Sequence, residues 1–193
     1  MFMISTEGAI KLTNETRDEV VYGTTINGQA LGDIMANREN EVIFNLPTKL
    51  KHDDEFEVIG YMTSDRKKLI VSLITGSYEI DYNNVACEVE FNFTGDEIVK
   101  IRYIINGEPH EQTVENVSGS KLLIEFVTEE YFKLKFKIKN SSIIITIGAR
   151  KEGEGEQGEI FLEHFESRHN IEDIRFLSLS HDIHKVSKLN FSF

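Results

Sequence analysis

Apolar and polar residues alternate with a period of two through most of this sequence. The clearest run is Phe132-Lys-Leu-Lys-Phe-Lys-Ile-Lys139, in which four apolar residues alternate with four lysines. This period predicts a β-strand with one buried and one solvated face, because a helix would repeat every 3.6 residues. Similar runs predict further strands at 56–62, 69–74, 85–93, 98–105, 121–127, 143–147, 160–165, 174–179 and 186–193.

Short polar pairs of the kind that form turns separate these runs. They are Asp53-Asp54, Asn83-Asn84, Gly95-Asp96, Asn106-Gly107 and Asn140-Ser141. Asn, Asp and Gly favour turns because they adopt left-handed backbone conformations at little cost. Many short strands joined by tight turns predict an all-β fold, a two-sheet antiparallel sandwich.

The first 45 residues follow a different pattern. A hairpin is predicted around Asn27-Gly28, and the apolar spacing of residues 30–35 predicts a short amphipathic helix. We therefore divide the chain into an N-terminal extension, residues 1–45, packed on a sandwich of residues 46–193. Within the sandwich, residues 151–158 are glycine-rich and acidic, which predicts a mobile loop between strands.

Composition and charge narrow the function classes. The chain has 193 residues and a formal net charge of −12, so most of its surface would repel nucleic acid or an anionic membrane. No apolar run approaches the length of a membrane span or of a signal-peptide core. The single cysteine, Cys87, has no internal disulfide partner. Together these features predict a protein of a reducing compartment, the cytosol or the nucleus.

Two neighbouring predicted strands carry charges on one face. The pleat that turns residues 85, 87, 89, 91 and 93 toward the core turns Glu88, Glu90, Asn92 and Thr94 outward. On the next strand the same rule places Lys100 and Arg102 outward. The short connection makes the strands hairpin neighbours, so Glu88 and Glu90 are predicted to pair with Lys100 and Arg102. Two interpretations follow: solvated cross-strand ion pairs, or a polar recognition face.

From about Asn45 to the end, the succession of motifs resembles the galectins, the β-galactoside-binding jelly-roll lectins. The motifs are Leu46-Pro47 before Phe56-Glu-Val-Ile-Gly60, Leu69-Ile-Val-Ser-Leu73, Val89-Glu-Phe-Asn-Phe-Thr94, Ile98-Val-Lys-Ile-Arg102, and Phe161-Leu-Glu-His-Phe165 followed by 171–179 and Asp182-Ile-His-Lys-Val186. The resemblance covers about three quarters of the chain. It implies a galectin-like jelly-roll sandwich and a non-catalytic binding function.

The residues that would hold the sugar have mostly changed. Where galectins have H-x-N-x-R, this sequence has Glu90, Asn92 and Thr94, and Arg102 stands at the position of a second asparagine. Residues 106–111 replace W-G-x-E, and the chain contains no tryptophan on which a sugar ring would stack. The resemblance therefore implies a protein-interaction module with a degenerate sugar site, or alternatively a lectin of altered specificity that uses Asn92, Arg102 and Glu111. The expected ligand-binding face comprises Glu88, Glu90, Asn92, Thr94, Lys100, Arg102 and Glu111.

Two arrangements in the sequence partly resemble catalytic or metal-binding sites. Glu88 and Glu90, at i and i+2, have a spacing compatible with inverting glycoside hydrolysis, but the adjacent cations would lower both pKa values. His181 and His184 point to opposite faces of a strand, so a metal site is not expected. Cys87, on the inward side, is predicted to be a core residue. We predict no enzyme activity, no metal and no cofactor.

The lysines at 133, 135, 137 and 139 form a basic stripe in an acidic protein. They either protect the sheet and keep it in solution, or dock an acidic segment such as Glu152, Glu154 and Glu156 of the same chain or of a second copy. A protein partner is predicted, while a glycan ligand and a homodimer remain open alternatives.

Overall fold

The computed structural model describes residues 9–11, 38, 40–94, 98–112, 131–149 and 158–192. These residues form twelve β-strands and a single-turn 3₁₀ helix, Ile171–Asp173. The strands are β1 (Ala9–Lys11), β2 (Val42–Asn45), β3 (Glu55–Met62), β4 (Lys68–Gly76), β5 (Ile80–Asn92), β6 (Ile98–Ile105), β7 (Glu108–Gln112), β8 (Tyr131–Lys139), β9 (Ser142–Ala149), β10 (Gly158–Glu166), β11 (Ile174–His181) and β12 (Ile183–Ser192).

The strands form two antiparallel sheets of six strands each. Sheet A has the order β1-β12-β3-β8-β9-β10, and sheet B has the order β2-β11-β4-β5-β6-β7. Consecutive strands such as β11 and β12 lie in different sheets, so the chain crosses from one layer to the other. The predicted all-β sandwich is confirmed.

Side chains from both sheets meet in the main hydrophobic core. Its largest members include five fully buried phenylalanines: Phe56, Phe91, Phe132, Phe136 and Phe165. The rings of Phe56 and Phe136 stack with centroids 5.0 Å apart across β3 and β8. Strand β8 alternates between buried and half-buried residues along its whole length, as its period of two predicts.

Three of the predicted turns are present, and one is not. Asn106 and Gly107 join β6 to β7 with φ values of 52° and 85°, as a tight hairpin turn requires. Asp53 and Asn140 also have positive φ. The prediction of a turn at Asn83-Asn84 is wrong, because both residues lie inside β5. There the side chains hydrogen-bond locally: Asn84 Nδ2 donates to an oxygen of Asp81 at 2.7 Å.

A β-bulge changes which residues of β5 face the core. Val85 lies opposite Ile104 and Glu88 lies opposite Arg102, so two residues of β5 face one residue of β6. Ala86 and Cys87 both enter the main core, and Val85 joins a separate cluster with Ile104. The prediction that Val85 faces the main core is therefore wrong, because a bulge shifts the alternation by one residue.

In each sheet, one of the two edge strands is formed by residues that precede Leu46. Strand β1 pairs with β12 in sheet A, and β2 pairs with β11 in sheet B. The predicted hairpin at Asn27-Gly28, helix at 30–35, turn at Gly95-Asp96, strand at 121–127 and loop residues 151–157 lie outside the described residues. No helix in the described part of the chain has the length and apolar character needed to cross a membrane.

Candidate functional site

A polar row crosses the outer face of sheet B, on the side opposite the main core. Strand register aligns one residue from each of five neighbouring strands. In order from β11 to β7 they are Ser178, Ser72, Glu88, Arg102 and Glu111. The strands thus bring together three of the predicted site residues and two serines that interrupt otherwise apolar runs.

Glu88 lies at the centre of this row and is held by hydrogen bonds on both carboxylate oxygens. Arg102 Nε donates to Oε1 at 2.7 Å. Ser72 Oγ donates to Oε2 at 2.8 Å, and Arg38 Nη2 donates to the same oxygen at 2.7 Å. Arg38 comes from the segment before β2, 50 residues away in sequence. One carboxylate therefore joins two strands of sheet B to the N-terminal segment.

Glu90 and Lys100 do not pair as predicted. Glu90 contacts Lys68 Nζ at 3.2 Å and Arg102 Nη2 at 3.3 Å. Lys100 lies opposite Glu90 in register, but its ammonium group lies 3.6 Å from Glu111 of β7. The predicted pairing with Arg102 is confirmed, and the pairing of Lys100 with either glutamate is wrong. The physical reason is that β7 supplies a further carboxylate beside Lys100.

The interpretation of these charges as solvated ion pairs is wrong for both glutamates. Glu88 is 1% exposed and Glu90 is 9% exposed. Arg38 covers Glu88 from the outside of the sheet, with its own side chain only 17% exposed. By contrast, the pair formed by Lys100 and Glu111 is exposed to solvent, at 41% and 54%. The face thus has a buried ionic centre around Glu88 and Glu90, and a solvent-exposed margin at Lys100 and Glu111.

Asn92 and Thr94 lie at the end of β5, beyond the ionic centre. Asn92 is half-buried, and its Oδ1 accepts hydrogen bonds from the backbone nitrogen and the hydroxyl of Thr94, at 3.1 and 3.0 Å. This is a local turn of the kind that Asn commonly stabilises. Thr94 is exposed. We define the exposed rim of the face as Thr94, Lys100 and Glu111.

The charges around Glu88 determine its protonation. Burial by itself raises the pKa of a carboxyl group, but Arg38 and Arg102, with the hydrogen bond from Ser72, hold the pKa of Glu88 below its ordinary value. The same carboxylate raises the pKa of Arg102 against the opposing effect of burial. A general acid needs a raised pKa, so Glu88 is ill-suited to donate a proton in glycoside hydrolysis.

A small apolar cluster occupies the same outer face beside the ionic centre. Ile74, Val85, Ile104 and Phe176 form it, and each lies on the same side of its strand as the polar row. Tyr82 packs against this cluster, and its hydroxyl donates to Glu41 at 2.7 Å. Burial, together with Glu41, raises the pKa of Tyr82, so the phenol remains a protonated donor.

The lysine stripe of β8 pairs with acidic residues of β3 and of the turn before it. Lys133 lies 2.6 Å from Glu57, Lys135 lies 2.9 Å from Glu55, and Lys139 pairs with Asp53. These pairs join adjacent strands of sheet A. The acidic residues 152, 154 and 156 proposed as an alternative partner lie outside the described residues.

Two further histidines have hydrogen-bond partners within the fold, and the single cysteine is buried. His164 Nε2 lies 2.6 Å from the Ser142 hydroxyl, and His169 Nε2 lies 2.7 Å from the carbonyl oxygen of Ile104. Cys87 is fully buried, and burial raises its thiol pKa. Within the described ranges, His, Cys, Asp and Glu side chains form no group of three that could hold a metal ion.

Sequence patterns did not identify five residues that take part in this site: Arg38, Glu41, Ser72, Tyr82 and Ser178. The serines left a signal, since each is a polar residue in an apolar run at an outward position. Arg38 and Glu41 left none, because their partners are distant in sequence: Glu41 also accepts a hydrogen bond from Ser178, 137 residues away.

Comparison with known proteins is consistent with this architecture. The sequence profile of the family described as "Galactoside-binding lectin" matches residues 41–191. The structure is similar to that of galectin LEC-6 of Caenorhabditis elegans, with a TM-score of 0.55 and 11% identity over 80% of this chain and 92% of that one. It is also similar to sheep Galectin-11, with a TM-score of 0.54 and 14% identity over 79% of this chain and 97% of that one. A comparison with curated protein sequences finds no match.

Proposed function

Because the chain belongs to the galactoside-binding lectin family, we propose that it is a non-catalytic, galectin-type binding domain whose sheet B face recognises a protein partner. One observation carries this proposal: the charged groups at the centre of the face satisfy one another and are buried. Glu88 accepts hydrogen bonds from Arg38, Arg102 and Ser72. Groups engaged in this way have little capacity left for sugar hydroxyls.

The exposed rim is the part of the face that is available to a partner. Lys100 and Glu111 place opposite charges side by side in solvent, and Thr94 adds an exposed hydroxyl. Charges at an exposed margin contribute chiefly to the choice of partner and to the association rate. We therefore expect the rim to contribute to the choice of partner.

Reversing the rim charges tests this proposal. Lys100→Glu and Glu111→Lys should each weaken capture of a cellular partner by about tenfold, since each leaves two like charges adjacent. The double variant restores an ion pair with the opposite polarity. It should therefore fold normally, but it should bind the partner as weakly as the single variants do. Lys49→Glu is the control, because Lys49 forms an ion pair with Glu172 outside the strands of this face, where both side chains are 61% exposed.

Partners are identified by cross-linking and mass spectrometry, with circular dichroism to confirm folding. Loss of the same protein from both rim variants, but not from the Lys49 control, supports the proposal. Equal capture by all variants contradicts it.

A glycan ligand is the second candidate, favoured by the family match and by Asn92 at the position of the family's asparagine. A lectin of altered specificity would be retained on a glycan array, would be released by free sugar, and would lose both properties in Asn92→Ala. Partner capture that free sugar abolishes would favour this second function over the first.

Two further features belong to the proposal. Residues 46–193 form the binding domain, to which the preceding extension adds β1, β2 and Arg38. The unpaired, buried thiol of Cys87 fits a reducing compartment, and we propose the cytosol or the nucleus.

A further inference from the structure

The side chain of Arg38 lies in a site built from four residues of the outer face of sheet B and of the segment before β2. Its guanidinium contacts Glu88 Oε2 at 2.7 Å, Ser72 Oγ at 3.1 Å and Glu41 Oε1 at 3.4 Å. Its central carbon lies 4.9 Å from the ring centroid of Tyr82. We name these four residues, Glu88, Ser72, Glu41 and Tyr82, the arginine cage.

The cage has the chemistry that selects a guanidinium group. Two carboxylates and a hydroxyl accept N–H groups that leave the planar fork in different directions, and a tyrosine ring faces the cation. A guanidinium fits such a site better than an ammonium group, because it is planar, weakly hydrated and able to stack. The cage is therefore matched in both charge and shape to arginine.

The walls of the cage are held in place independently of Arg38. Ser72 donates to Glu88, and Arg102 holds the other oxygen of that carboxylate. Tyr82 and Ser178 both donate to Glu41. Each wall therefore keeps at least one bond if the guanidinium leaves, so the site is preorganised for a ligand.

The cage also has a route to solvent. The Arg38 side chain is 17% exposed, whereas the Glu88 side chain beneath it is 2% exposed. A guanidinium from another molecule would reach Glu88 along the path that Arg38 follows. The net charge of −12 would attract a basic partner to this protein.

We propose that the arginine cage is a guanidinium-recognition site, that Arg38 is its internal ligand, and that an arginine side chain of the partner protein takes its place. This inference rests on the proposed protein-binding function and specifies the chemistry of the partner. Arg38 competes with that arginine, so the occupied cage is an autoinhibited state.

The test uses the full chain and a small probe, so it does not depend on finding the partner. Arg38→Ala removes the internal ligand and leaves the four cage residues intact. The probe is N-acetyl-arginine methylamide, and the comparison is its citrulline analogue, which has a similar shape and no charge. Binding is followed by NMR at the backbone amides of Ser72, Tyr82 and Glu88.

We expect saturable shifts with the arginine probe in Arg38→Ala, and binding at least tenfold weaker for wild type and for the citrulline analogue. Adding Tyr82→Leu to this variant should weaken binding severalfold, because the ring no longer faces the cation. Lys49→Ala, a change at an exposed residue that is not part of the cage, should behave as wild type. A folded Arg38→Ala protein that shows no saturable shift, or that binds both probes equally, overturns the proposal.

If Arg38→Ala unfolds at room temperature, guanidinium itself serves as the probe. Low millimolar guanidinium chloride should raise the Tm of Arg38→Ala above its value in sodium chloride of equal ionic strength, and should not raise that of wild type. Identical Tm values in both salts overturn the proposal. Loss of partner capture in the rim variants is a separate measurement, so failure of the cage and failure of the binding function are distinguishable.

Discussion

Glu88 shows how one residue can have a role that its local sequence does not reveal. It alternates outward on β5, where a charged side chain normally meets water, yet it is 1% exposed. Burial of a carboxylate is costly unless cations and hydrogen-bond donors surround it, and here Arg38, Arg102 and Ser72 do so. The burial of Glu88 therefore depends on its partners remaining in place.

Replacing Glu88 with glutamine tests this dependence. The substitution keeps the shape but leaves Arg38 and Arg102, each largely shielded from water, without their shared counter-charge. We expect the free energy of unfolding to fall by about 3 kcal/mol, as is typical when one partner of a buried ion pair is removed. Urea denaturation measures the change. The control is Glu172→Gln, at a pair that is 61% exposed on both sides, where a loss below about 0.5 kcal/mol is expected.

At the scale of the element, the bulge in β5 decides the composition of both faces of sheet B. It places Ala86 and Cys87 side by side in the main core and moves Val85 to the outer cluster. The half of β5 before the bulge thus contributes apolar residues to the face on which the other half places Glu88 and Glu90. The ionic centre and the apolar cluster adjoin each other because the strand changes phase between them.

Strand packing in sheet A leaves no room for a side chain at Gly60. A Cβ added there would lie 2.5 Å from the Phe132 ring and 2.7 Å from the carbonyl oxygen of Lys185, and the backbone oxygen cannot move aside without shifting β12. Gly60→Ala should therefore reduce the free energy of unfolding by about 2 kcal/mol. Gly148→Ala is the matched comparison, because its nearest neighbours are atoms of the flexible Lys133 side chain. Thermal and urea unfolding should rank Gly60→Ala as the more damaging, and the reverse order would contradict this packing argument.

For the whole molecule, the two ends of the chain meet in both sheets. Strand β12 lies between β1 and β3, and β11 lies between β2 and β4. The N-terminal strands consequently pair with the last two strands of the chain. This closure brings Arg38 and Glu41, which precede β2, onto the face formed by β4, β5 and β11.

The pH dependence of stability should reflect the ionic centre. The pKa of Glu88 in the folded protein lies below the ordinary value of 4.5, so its contribution is complete above that pH. As pH falls further, the unfolded chain binds a proton first, and the contribution is lost as pH passes through the folded pKa. Between about pH 5 and pH 3, wild type should lose more free energy of unfolding than Glu88→Gln. Urea titrations across this range measure both, and equal slopes would show that Glu88 does not contribute.

The sequence by itself determined the sandwich class, nine of the twelve strands in the described residues and three of the five predicted turns, but it did not predict β1, β2 or β7. Period-two alternation is a local property, because each residue's direction follows from its neighbours in the pleat, and β8 shows it along its full length. The sequence also identified Glu88, Glu90 and Arg102 as members of one charged face, since hairpin neighbours lie close in sequence.

Only the tertiary structure decided which charges are buried and what covers them. No local sequence pattern predicts the bulge at Ala86, which shifts the alternation of β5. Lys100 pairs with Glu111 instead of Glu90 because β7 packs beside β6. The contact between Arg38 and Glu88 joins residues 50 positions apart. Such contacts depend on how strands from distant parts of the chain pack, and the alternation within any one strand carries no information about that packing.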